Sequence, residues 1–245
     1  MWLTNSSIGK KVVMSVTGIA LVLFLTFHAC MNVVALISGE AYNAICAFLG
    51  ANWYAVVGTA ALAALVALHF VFAVILTLQN RKARGGNGYA VSTKVNAGKV
   101  EWASKNMFVL GLIICLGMLL HLYNFWYNMM FAEIVGVEGA LSPTDGYGFI
   151  ARTFSCPVYA GLYIVWLIAL WYHLSHGFWS AFQTLGASGK IWFKRVKVIG
   201  IVWVTIVVLM FVAVVVAFAT GLAGCCADGC GDACHKVVEA CGAAC

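Results

Sequence analysis

Five stretches of the chain are long and apolar and contain no Asp or Glu, yet four of them carry histidine: residues 12–37, 53–78, 107–131, 158–182 and 198–222. A hydrocarbon layer about 30 Å thick takes roughly 20 apolar residues per helical crossing. Each stretch is therefore long enough to span. A chain that is 64% hydrophobic and 9% charged has more apolar surface than one aqueous core could hide, which excludes a soluble domain. The expected fold is all-α, an integral membrane bundle of five transmembrane helices over residues 1–224, followed by a cysteine-rich tail at 225–245. The first stretch has too long an apolar core for a removable leader and no small-residue cleavage site behind it, so the N-terminus is expected to stay.

Lysine and arginine give the orientation. Lys10, Lys11, Arg81, Lys82, Arg84, Lys94, Lys99, Lys105, Lys190, Lys194, Arg195 and Lys197 fall on the side of the N-terminus and of the second and fourth connections, with Arg152 and Lys236 opposite. The positive-inside rule then puts the N-terminus in the cytoplasm and the C-terminus outside. The net charge of +6 is this asymmetry rather than a nucleic-acid footprint.

An ionisable side chain inside a membrane span is expensive and needs a partner or a task. His28, His69, His121 and His173 stand one to a span in the first four stretches, and His176 follows His173. At about 1.5 Å per residue, His28 and His121 lie roughly 24 and 21 Å from the inner starts of their helices, in the outer half. Helices two and four run the other way, and the same rise puts His69 and His173 roughly 24 and 22 Å from their outer starts, in the inner half. The depths pair His28 with His121 and His69 with His173, about 15 Å apart along the membrane normal. Paired imidazoles are what two b-type haems need for axial ligation, and four helices would form the cage. His176 lies one turn beyond His173 on nearly the same face, and spacing leaves open which of the two is the ligand. A lone span histidine is more often a packing residue, and transition-metal transport is the rival use of four, although bare cations are harder to carry without acids.

Gly18 precedes His28 by ten residues, Gly111 precedes His121 by ten and Gly58 precedes His69 by eleven. Each glycine is expected near the level of the other haem, where a missing side chain would let a porphyrin lie on the backbone. Close helix packing is the alternative use. The cluster at 85–88 lacks the lysine and helix start of a phosphate loop. The third stretch ends in an aromatic belt, LYNFWYNMMF. The fifth has no histidine and is expected to flank the cage. Residues 1–11 read as a polar start along the membrane surface, and 38–52 and 132–157 as outer connections.

Several motifs together carry a family resemblance: SSIGKKVVMSVTG followed by LFLTFHACMN, NRKARGGNGYA leading to WASKNM, LLHLYNFW, and YHLSHGFWSAFQTLG. Over residues 6–215 the chain resembles the five-helix, dihaem cytochrome b subunit of succinate:quinone oxidoreductases and fumarate reductases. The resemblance implies His28, His69, His121 and His173 as the axial ligands. The family's usual residue three positions after the fourth ligand is Asn or similar, which gives His176 a place beside that ligand, near a haem propionate. It also implies a bacterial inner membrane with a periplasmic C-terminus, menaquinone as substrate, and an iron–sulfur subunit and a flavoprotein with covalent FAD docked on the basic cytoplasmic face. Dicarboxylate chemistry would sit on those partners, and pairing of complexes into dimers is a family habit. A dihaem anchor of a nitrate reductase or hydrogenase would share the cage, while a non-redox multispan transporter would be colourless.

Quinol oxidation releases protons, so Glu40, the sole acid between the first two helices, is a candidate acceptor, against the alternative of a solvated loop charge. Asn32 and Asn124 are candidates for hydrogen bonds to quinone or for knitting helices, and Arg152 for a propionate of the outer haem. The tail CCADGCGDACHKVVEACGAAC holds six of the ten cysteines. Outside the membrane it reads first as disulfides, then as a metal or haem-attachment site. Cys30, Cys46, Cys115 and Cys156 read as packing residues.

Overall fold

The computed structural model describes residues 6–84, 102–137, 139, 141–187 and 189–223, with residue 84 described by its backbone alone. The tail at 225–245, the glycine cluster at 85–88, Lys94 and Lys99 lie outside them. Every regular element among the described residues is helical. Five helices there are long and apolar enough to cross a membrane: Ser7–Leu36, Trp53–Ala83, Trp102–Val135, Pro157–Thr184 and Lys190–Ala219. This is the make-up of a multi-pass membrane protein.

The helices overrun the apolar stretches at their basic ends, for local reasons. Helix α1 (Ser7–Val33) starts well before residue 12 because Ser6 caps it, accepting from the Gly9 N–H at 2.9 Å. Lys10 and Lys11 therefore sit in its opening turns instead of in a surface arm, and their long stems let the charges reach polar surroundings. Helix α3 (Trp53–Arg84) runs through Arg81 and Lys82. Helix α7 (Pro157–Thr184) opens on a proline, which the first helical position tolerates because its missing N–H would be unpaired anyway. Helix α8 (Lys190–Ala219) takes in Lys194, Arg195 and Lys197, all good helix formers.

The connections at 38–52 and 132–157 each contain a ten-residue helix that hydropathy passes over. Helix α2 (Gly39–Phe48) is capped by the Ser38 hydroxyl, which accepts from the Ala41 N–H at 3.2 Å. Helix α6 (Gly146–Ser155) is capped by Asp145, which accepts from the Gly148 N–H at 3.0 Å. Asn43 joins the two: its amide donates to Asp145 Oδ1 at 2.8 Å and its carbonyl accepts from the Tyr147 N–H at 2.8 Å. Helix α4 (Trp102–His121) passes into a π-wound segment, Leu122–Phe131, and then a last turn, α5 (Ala132–Val135), which Gly136 ends at φ 70°.

The chain divides into two compact units. The first comprises Met1–Phe24, Ala60–Leu112 and Leu170–Thr205. Within it Gly200 is buried against the Phe178 ring, and the Trp171 indole donates to Thr205 Oγ1 at 2.9 Å. The second comprises Leu25–Thr59, Ile113–Ala169 and Ile206–Cys245. There the Trp166 ring fills the place a Gly117 side chain would occupy, and its indole N–H donates to the Ile114 carbonyl at 3.1 Å. Cys156, buried in this unit, is disulfide-bonded, which corrects its reading as a packing residue, whereas Cys30, Cys46 and Cys115 are free thiols.

Candidate functional site

Each unit contains one histidine pair. In the second unit His28 comes from α1 and His121 is the last residue of α4. Their ring centres are 5.8 Å apart, with the planes at 84°. Aromatic rings pack around both. Phe211, from α8, the long helix without a histidine, lies 5.7 Å from His28, while Phe125, Trp166 and Tyr163 lie 5.1, 5.8 and 6.3 Å from His121.

The two asparagines beside this pair are engaged within the protein. Asn32 donates to the His28 carbonyl at 2.8 Å and accepts from the Tyr42 hydroxyl at 3.1 Å. Asn124, 8% exposed, donates to the Tyr163 hydroxyl at 3.3 Å. Glu40 stands exposed in the first turn of α2, where a helix N-terminus favours a carboxylate. Arg152 is exposed in the last turn of α6, beside a cavity lined also by Tyr127, Asn128, Phe131 and Phe149. Near this end, burial raises the Tyr42 phenol well above its ordinary range. Burial also pushes the Cys46 thiol up to about 11, although hydrogen bonds with Tyr42 and the Gly146 backbone pull it down.

In the first unit His69 comes from α3 and His173 from α7, with ring centres 6.4 Å apart and planes at 67°. His69 Nδ1 lies 3.1 Å from the Thr17 hydroxyl. A side chain on Gly18 would begin 3.3 Å from His69 Cε1, and one on Gly111 3.9 Å from His173 Cε1. Both glycines thus leave room for an imidazole. Gly58, which belongs to the second unit, would meet nothing within 4 Å of a side chain placed there. His173 Nδ1, Ser175 Oγ and Trp179 Nε1 are buried without a hydrogen-bond partner. The ring of His176 packs on Trp179 at 4.7 Å.

Among the described residues no three His, Cys, Asp or Glu side chains are grouped to hold a metal ion. The porphyrin supplies four donors itself, so a haem iron asks the protein for two, and each unit offers two. Imidazoles on opposite sides of one iron, each nitrogen at about 2 Å, would hold their ring centres about 6 Å apart. Both pairs have that spacing. Each unit thus holds two imidazoles, the donor number and the spacing that one haem would ask of the protein.

Thr17, Gly117, Tyr163, Trp166 and Phe211 were not singled out as site residues in the sequence. A polar Thr beside a Gly inside an apolar span was the available signal for Thr17. The aromatic residues look like any others in a lipid-facing run until their contacts are known. No protein-family model, no curated protein and no solved structure matches the chain.

Proposed function

We propose that the chain is the dihaem cytochrome b membrane subunit of a succinate:quinone oxidoreductase or quinol:fumarate reductase. It would carry electrons between quinone in the membrane and iron–sulfur and flavin subunits on the cytoplasmic side. The observation that carries this reading is the meeting of the four span histidines as two pairs, 5.8 and 6.4 Å between ring centres.

Haem, when bound, supplies the one-electron chemistry. The chain supplies position and surroundings. His28 and His121 would hold the outer haem, and His69 and His173 the inner one. Phe125, Tyr163, Trp166 and Phe211 wall the first of these pairs with apolar rings, which keeps water from the ligands. The first unit carries Lys10, Lys11, Arg81, Lys82, Lys105, Lys190, Lys194, Arg195 and Lys197. In this reading they form the cytoplasmic face on which an acidic surface of the iron–sulfur subunit docks. Glu40, exposed in the first turn of α2, is the candidate to take up protons from quinol.

A reduced-minus-oxidised spectrum of the purified chain tests the assignment. About two haems b per chain are expected, and a colourless protein would overturn it. Succinate oxidation or fumarate reduction by the co-purified partners would separate this reading from a nitrate reductase or hydrogenase anchor.

A further inference from the structure

We infer that Thr17 is a positioning residue for His69, fixing which nitrogen of that imidazole carries the proton and how the ring is turned. The inference rests on the haem reading above and adds a tuning device to one of its two sites.

Thr17 is 4% exposed, and its hydroxyl has one proton and two lone pairs. The Val13 carbonyl at 2.8 Å and the Met14 carbonyl at 3.1 Å lie within reach of that proton, and both can only accept. A threonine inside a helix commonly gives its proton back to the carbonyl four residues earlier. With the proton so placed, the third neighbour, His69 Nδ1 at 3.1 Å, has to be the donor. The neutral ring then carries its hydrogen on Nδ1, and Nε2 is left as its only lone-pair nitrogen, the one able to bind iron. Gly18 makes the approach possible, since a side chain there would press on His69 Cε1 from 3.3 Å. His173 differs: its Nδ1 is buried and unpartnered. The pair therefore joins one anchored imidazole to one without such an anchor.

A ligand histidine that donates its second N–H becomes a more basic ligand and keeps its orientation. Greater basicity favours the oxidised iron, so Thr17 lowers the potential of the haem that His69 holds. The test uses the full chain with Thr17→Val and Thr17→Ser, read by haem content, potentiometric titration of the optical bands and the ferric low-spin resonance spectrum. The His69-linked component is identified as the one missing in His173→Ala.

In Thr17→Val that component should move to higher potential with an altered ferric signal, the other component should stay in place, and Thr17→Ser should match the wild type. Two haems with both components unmoved in Thr17→Val would overturn the role of Thr17 and leave the haem reading standing. A wild-type chain without haem would overturn both. If Thr17→Val fails to hold the haem, recovery of it at the wild-type potential in Thr17→Ser supports the inference, and failure to recover it overturns it.

Discussion

The two units surround similar pairs of rings by different means. In the second unit His28 and His121 are set among four aromatic side chains, and the described charges are Glu40, Glu133, Asp145 and the single cation Arg152. In the first, His69 is tied to a hydroxyl, polar atoms of Ser175 and Trp179 lie buried nearby in sequence, and the described charges are all basic. The second unit's pair is walled by aromatic rings, and in the first a hydroxyl lies against one of the two imidazoles. Packing resists a change of shape and is indifferent to protons, whereas a hydrogen bond to a ligand alters its electron-donating strength. Mutations in the aromatic wall should therefore disturb stability, and mutation of Thr17 redox properties.

The strongest test removes the rings themselves. His28→Ala or His121→Ala should abolish one of two haem components and spare the other, while His69→Ala or His173→Ala should do the reverse, as read in redox difference spectra. Equal loss of both components from any single replacement would dissolve the pairing. Next in size is Trp166→Ala, which deletes the ring over Gly117 and the bond to the Ile114 carbonyl. It should destabilise the protein by about 3–5 kcal/mol in thermal unfolding, with the His69-linked potential unmoved.

Gly117→Ala should be milder, about 1–3 kcal/mol, because the added methyl must displace the indole. Gly58→Ala meets open space and should fall within about 0.5 kcal/mol of wild type, so the two glycines calibrate each other. The smallest effect expected is chemical. The Cys46 thiol, pushed up to about 11 by burial, stays protonated to higher pH than an ordinary cysteine, so its alkylation should lag and accelerate only as pH approaches that value. Rapid labelling of Cys46 at neutral pH would show that α2 opens.

What could be read from the sequence follows from the physics of each signal. The spans declared themselves through apolar length, and the histidine pairs through rise per residue alone. The pairing of His28 with His121 and of His69 with His173 is the pairing that the rings make. Helices α2 and α6 escaped because hydropathy is blind to short, capped, amphipathic turns, although Ser38 and Asp145 were legible as caps. The glycines were harder. Gly18 and Gly111 do lie at histidines of the expected levels, but the space they leave is taken by imidazole, and Gly58 has nothing against it. The role of Thr17 depends on a contact 52 residues away in the chain, which no local pattern encodes.

One feature of the second unit bears on how tolerant this chain is of change. Immediately after His121 the backbone widens into π winding for ten residues, and the Asn128 amide donates to the Tyr123 carbonyl at 2.8 Å. Such widening behaves like a residue inserted into an ordinary helix. Shortening Leu122–Phe131 by a single residue would let the coil tighten to ordinary winding and keep the downstream face near its register, whereas one more residue there would swing everything downstream by about 100°. The aromatic girdle and Glu133, which grips the Ala51 N–H at 3.0 Å, would then point elsewhere. Gain of length in this stretch is therefore under stricter control than composition, and a one-residue insertion there should do more harm than a one-residue deletion.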